Sequence, residues 1–171
     1  MATDLVEINP DEPQPEILER AAAAVRRGKV VAVPTDALYT LVADPFNLRA
    51  VTQVFKAKGR EPHRSLPILV RDTMMAEDIA GELNNRFFIL ARRFWPGPLT
   101  VIVPASAKVP LKVTGNTGRL ALRQSKSKLV DLSCMAHLLP RHRARSTLPR
   151  QASAVRTGRP RLTRPLSIAV R

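Results

Sequence analysis

The chain has 171 residues, 44% of them hydrophobic and 25% charged, enough for one domain that buries about 70% of its unfolded surface. Its formal charge of +14 is unevenly placed: residues 136–171 hold nine Arg, no Lys and no acidic residue, which leaves +5 for residues 1–135. A single cysteine, Cys134, excludes an internal disulfide and a cysteine-based zinc site, no apolar run approaches the roughly 18–20 residues that cross a bilayer, and Met1–Glu7 lacks a basic stretch followed by an apolar one, so a cytoplasmic protein with no membrane partner is expected.

Between Pro15 and Gly28, Ile17, Leu18, Ala21 and Val25 fall on one helical face, and Gly28 stands where such a helix stops. Lys29–Val33 follows as a short valine-rich run with the pattern of a buried strand, ended by Pro34. Val51, Val54 and Phe55 predict a helix over Leu48–Lys58, and Leu66–Val70 reads as a second buried strand. Helices are predicted at Ala76–Ala80 and Asn84–Phe94, the latter broken by Trp95-Pro96-Gly97-Pro98. Leu99–Val103 and Leu120–Leu122 are further strands. This alternation is that of an α/β sheet domain. From Pro140 onward arginines are scattered among Pro, Ser and Thr with no apolar periodicity, which predicts a domain over residues 1–135 and an Arg-rich disordered tail over 136–171.

Lys58, Arg60 and Arg64 place three cations within seven residues, and Gly59 permits a turn that aims them together. Phosphoryl and nucleotidyl transfer work chiefly by fixing positive charge against phosphate oxygens, so the cluster suits a polyphosphate; a solvated basic turn has the same spacing. Neither a Walker phosphate loop nor a dinucleotide glycine pattern is present. Thr35 and Asp36 follow a strand, and Tyr39 offers a hydroxyl nearby, which together suggest a strand-loop-helix ligand site; alternatively Thr35 and Asp36 cap a turn and Tyr39 belongs to the core. His63, His137 and His142 have no metal-ligand spacing, and His63 reads as a loop residue.

Taken in order, Pro34-Thr35-Asp36-Ala37-Leu38-Tyr39-Thr40-Leu41, Lys58-Gly59-Arg60, Phe94-Trp95-Pro96-Gly97-Pro98-Leu99-Thr100 and Arg119-Leu120-Ala121-Leu122-Arg123 resemble the successive signature blocks of the YrdC-like family. That resemblance implies a twisted mixed α/β sheet flanked by helices around a basic concave cleft. It implies a threonylcarbamoyl-AMP synthase, which joins L-threonine, bicarbonate and ATP, releases pyrophosphate and supplies a tRNA modification through downstream threonylcarbamoyl transferase proteins. On this resemblance Lys58 and Arg60, with Arg64 nearby, meet the ATP phosphates, Arg123 holds threonine, and Thr35 and Tyr39 line the cleft between them. Magnesium accompanies the nucleotide, and no side chain is expected to act as a covalent catalyst.

Three departures from the family pattern stand out. Ala37 replaces a threonine and Thr40 a glycine, and a threonine forced into a left-handed backbone would cost about 1–2 kcal/mol. Ser127–Leu132 resembles the start of the next family helix, but the Thr-Ser-Ala-Asn block and the strand after it are not recognisable, and past Met135 the composition resembles a GC-rich gene read out of frame. The altered C-terminus therefore implies a truncated domain with impaired activity, and the alternative function is a noncatalytic tRNA-binding or double-stranded RNA-binding protein with salt-sensitive phosphate contacts.

Overall fold

The computed structural model describes residues 3–9, 11–35, 39–61, 63–130, 139–140 and 166–170, the last two stretches by their backbone. In chain order the elements are β1 (Asp4–Ile8), α1 (Pro15–Arg26), β2 (Val31–Val33), β3 (Thr40–Val42), α2 (Leu48–Lys58), β4 (Ile68–Leu69), α3 (Thr73–Ile79), α4 (Asn85–Phe94), β5 (Val101–Pro104), α5 (Leu111–Thr114), β6 (Arg119–Arg123), β7 (Leu139–Pro140) and β8 (Leu166–Val170).

Local chemistry sets the helix starts. Pro15 opens α1, with Glu16 in its first turn and Arg26 in its last, matching the helix dipole. The Asn47 side chain accepts from the Arg49 and Ala50 N–H groups to cap α2, Asp72 accepts from Met75 to cap α3, and Asn84 accepts from Phe87 to cap α4. The Asp72 cap explains why α3 begins at Thr73 rather than at Ala76: the apolar pattern reveals only the buried part of the helix.

One sheet has the order β1-β8-β2-β3 with antiparallel neighbours throughout, and the other has the order β5-β6-β4-β7, in which only β4 and β6 run parallel. Strands β3 and β7 lie beside one another where the two sheets adjoin. The larger core collects Val51, Val54 and Phe55 from α2, Phe87 and Ala91 from α4, and Ile68, Leu120 and Leu122 from the sheet. The smaller collects Leu18, Ala21 and Val25 from α1 with Val31, Val33, Val42, Leu69 and Leu129. Trp95 ends α4 inside the larger core, edge-on to Phe87 at 5.5 Å, and its indole N–H donates to the Leu99 carbonyl at 2.9 Å.

Three strands carry no signal in the apolar pattern. β1 does not alternate, because Leu5 and Val6 stand together between Asp4 and Glu7, and only Ile8 is buried. β3 is three residues long, below the length at which periodicity can be read. Two short strands fall within the stretch read as an Arg-rich tail: Leu139–Pro140 beside β4, and Leu166–Val170, whose backbone forms a strand between β1 and β2. Its apolar residues 166, 168 and 170 alternate, but the flanking arginines dominate any averaged window. Residues 131–138 and 141–165, on which the out-of-frame reading chiefly rests, lie outside the described residues.

Removing residues 166–170 takes away the strand to which all five residues of β1 pair. The shortened chain should melt at least about 4 °C below the full chain, the shift corresponding to 1–2 kcal/mol in a protein of this size; equal melting temperatures would contradict the pairing. A second prediction concerns Asp72, whose carboxyl is held below its ordinary range by the Met75 N–H and then by Arg71 at 2.7 Å. A depressed carboxyl pKa stabilises the fold above the unfolded-state value, and that contribution disappears as pH falls through the folded value. Wild type should therefore exceed Asp72→Asn in stability by about 0.3–1 kcal/mol at pH near 7, and the difference should shrink steadily as pH falls below the unfolded-state carboxyl value of about 3.9, as read by urea denaturation across a pH series.

Candidate functional site

Helix α2 delivers the cations. Lys56 and Lys58 occupy its last turn, where the unpaired carbonyls favour positive charge. The helix closes with Gly59 in the left-handed region (φ 57°, ψ 35°), the Gly59 N–H donating to Lys56 O and the Arg60 N–H to Phe55 O at 3.0 Å. This paired closure reverses the chain, so Arg60 starts a loop that runs to β4. Arg60 Nη2 donates to the Ser65 carbonyl at 2.7 Å, fastening the two ends of the loop together. Arg64 is tied back to Glu61, its N–H donating to the Glu61 carbonyl at 3.1 Å and its Nε lying 3.5 Å from the carboxylate. His63 lies 3.3 Å from the same carboxylate and remains an exposed loop residue.

Arg60 differs electrostatically from the other two cations. It is half-buried, its Nε is enclosed without a hydrogen-bond partner among the described residues, and it has no ion pair with any described carboxylate. Burial, and secondarily the charge of Arg64, hold its guanidinium below its ordinary range. A guanidinium stays charged in any protein, so the result is a cation that an incoming anion would neutralise. Arg64, paired on the surface with Glu61, gains little from that pair because exposed ion pairs are worth about 0–1 kcal/mol, and it is readily given up to a more highly charged ligand.

Arg123 stands elsewhere. It ends β6, is 8% exposed, and its carbonyl accepts from the Val70 N–H at 2.9 Å. Because β4 and β6 are parallel with Leu69 opposite Arg123, the loop of cations and Arg123 leave this strand pair at opposite ends, about 13 Å apart for an extended Leu66–Val70. Pro34 and Thr35 lie toward the Arg123 end: Ser127 Oγ approaches the Pro34 carbonyl at 3.5 Å, and the Ser127 N–H donates to Ser125 Oγ at 3.2 Å. Buried Ser125 and half-buried Ser127 carry no ligand signal in the sequence, where Ser127 reads only as the start of a helix.

Two expectations for the first block are corrected. The segment after β2 returns directly into β3, antiparallel to β2 with Val33 opposite Thr40, so the arrangement is strand-loop-strand rather than strand-loop-helix. Thr40 is an extended strand residue, 1% exposed, and carries no left-handed strain; among the described residues Asn116 is the one non-glycine at positive φ. Thr35 and Tyr39 are both half-buried at the ends of this loop. Asp36, Ala37 and Leu38 lie outside the described residues. No group of three His, Cys, Asp or Glu capable of holding a metal occurs among the described residues, and none of their helices is long and apolar enough to cross a membrane.

A mixed-sheet α/β domain with a cation-bearing loop after its second helix is thus the class to which the molecule belongs. The family model described as telomere recombination, covering Sua5, YciO and YrdC, matches residues 23–168. The chain belongs to this family. It is 39% identical over 117 residues to the threonylcarbamoyl-AMP synthase of Pyrococcus abyssi, a match covering 66% of this chain and 34% of that protein. It is 32% identical over 127 residues to that of Halorhodospira halophila, covering 74% and 66%. Among solved structures, P. abyssi Sua5 complexed with L-threonine superposes with a TM-score of 0.74 at 32% identity, covering 77% of this chain and 39% of the other. Escherichia coli YciO superposes with a TM-score of 0.74 at 21% identity, a likeness of fold, covering 80% and 68%. The chain spans about a third of the length of the first curated relatives it matches.

Proposed function

We propose that the chain is a threonylcarbamoyl-AMP synthase, acting in the cytoplasm to supply threonylcarbamoyl-AMP to the transferase proteins that modify tRNA. The observation that carries this reading is Arg60: a half-buried cation without a carboxylate partner among the described residues, near Arg64 and two residues after Lys58, within the region matched by the family model. The names borne by the relatives support a synthase over a purely RNA-binding protein.

In this reading the triphosphate of ATP lies along the 58–64 loop, with Lys58, Arg60 and Arg64 against its oxygens. Threonine lies toward the other end of the strand pair, its carboxylate on Arg123, with Thr35 and Tyr39 flanking it. Its amine combines with bicarbonate, with loss of water, or with dissolved carbon dioxide, with loss of a proton, to give a carbamate. A carbamate oxygen attacks the α-phosphorus, the bond from that phosphorus to the oxygen bridging to the β-phosphate breaks, and pyrophosphate leaves with that electron pair. The protein's contribution is orientation and fixed positive charge where pyrophosphate charge develops. Magnesium enters as part of the nucleotide substrate, where it would offset part of the phosphate charge.

Pyrophosphate release by the purified full chain should require both L-threonine and bicarbonate and should fall by about a hundredfold or more in Lys58→Ala. Release that ignores bicarbonate, or that survives the substitution at the wild-type rate, would contradict the proposal.

A further inference from the structure

The loop that carries the cations rests on another turn, one absent from the signature blocks. Helix α5 ends at Gly115 (φ 60°, ψ 33°), and a Cβ built there would lie 2.3 Å from the His63 carbonyl oxygen and 2.9 Å from the Ser65 nitrogen. These contacts are with backbone, so they cannot be relieved by a side-chain rotation. One residue further along the loop, the Leu66 N–H donates to the Val113 carbonyl at 2.8 Å. From the other side, Lys112 Nζ donates to Thr52 Oγ1 at 2.8 Å and so ties α5 to α2, the helix that launches the loop. The 111–115 segment thus touches both the element before the cations and the backbone after them.

We propose that Gly115 is a positioning residue for the polyphosphate site: its missing side chain lets the 63–65 backbone seat against α5 and so fixes where Arg60 and Arg64 present their charge. The link to Arg60 is direct, since Arg60 Nη2 donates to the carbonyl of Ser65, the residue whose nitrogen abuts Gly115. A Cβ at 115 pushes His63 and Ser65 outward, and the Arg60 head moves with the carbonyl that holds it. The inference deepens the proposed function and rests on it for the identity of the anion.

Gly118 supplies a matched control. It also has a positive φ, 64°, but nothing lies within 4 Å of a Cβ built there. Alanine at either position meets the same backbone penalty, and only alanine at 115 meets the loop. The test compares the full-length wild type, Gly115→Ala and Gly118→Ala by calorimetric titration with inorganic triphosphate and by Michaelis constants for ATP and for L-threonine. Gly115→Ala should weaken triphosphate binding and raise KM for ATP by about tenfold or more while KM for threonine stays within about twofold, the pattern of misplaced phosphate contacts. Gly118→Ala should stay within about twofold of wild type in all three measurements. Equal losses in the two variants, or none in Gly115→Ala, would overturn the positioning role.

Should Gly115→Ala fail to fold in a thermal melt, Gly115→Asn takes its place. Asparagine tolerates a positive φ, as Asn116 does at 60°, and carries the same Cβ into the His63 carbonyl. If wild type binds triphosphate but releases no pyrophosphate with threonine and bicarbonate, the proposed function fails while the binding comparison still decides the role of Gly115. If wild type binds no triphosphate, both fail.

Discussion

The segment Leu66–Val70 is the constraint on which the molecule depends. Leu66, Ile68 and Leu69 are each 0% exposed and Val70 is 1% exposed. Ile68 packs into the larger core and Leu69 into the smaller, so this short strand is buried on both faces. A doubly buried backbone must have its polar groups paired. Strand β6 on one side and β7 on the other meet that demand, with the Leu66 N–H extending the pairing to Val113 and the Val70 N–H to Arg123. Truncating any of the three large apolar side chains would leave a void costing about 2–5 kcal/mol, a large fraction of the stability of an ordinary domain.

That rigidity is inherited by the two ends of the strand. At its start the chain arrives from the cations, and residues 59–61 and 63–65 lie between the capped end of α2 and a strand paired on both sides. At its finish the strand is bonded to the Arg123 backbone. The half-buried Arg60 therefore sits on scaffolding that cannot relax to give it a counter-charge. An isolated buried charge is expensive, whereas a polyanion that pairs with it recovers part of that cost. The discrimination expected of such a site is for several negative charges held close together, which favours a triphosphate over a single carboxylate.

The apolar pattern was sufficient for α1, α2, α4, β2, β5 and β6, although α4 buries only Phe87 and Ala91 and β5 only Val103. It was insufficient where the determinant was a pairing partner rather than the strand's own residues. β1 and β8 are strands because they pair with each other, and β3 because Val31–Val33 lies beside it. Thr40 illustrates the same limit at one residue: compared with a glycine pattern it suggests strain, whereas its place opposite Val33 makes it an ordinary strand residue. For the site, the cation cluster was legible as chemistry, but the Ser65 carbonyl that fastens Arg60 and the Gly115 turn beneath the loop belong to folded geometry. The Gly115-Asn116 pair and Gly118 mark a turn in the sequence; what that turn supports is not written there.

The proposed reaction joins carbamoylated threonine to the α-phosphate of ATP. Mass spectrometry of the adenylate formed from ATP, L-threonine and carbon-13 bicarbonate detects that product. A threonylcarbamoyl-AMP product heavier by one neutron than its unlabelled counterpart is the expected result. An adenylate that carries no label, or a folded chain that forms none, would rule the proposed reaction out.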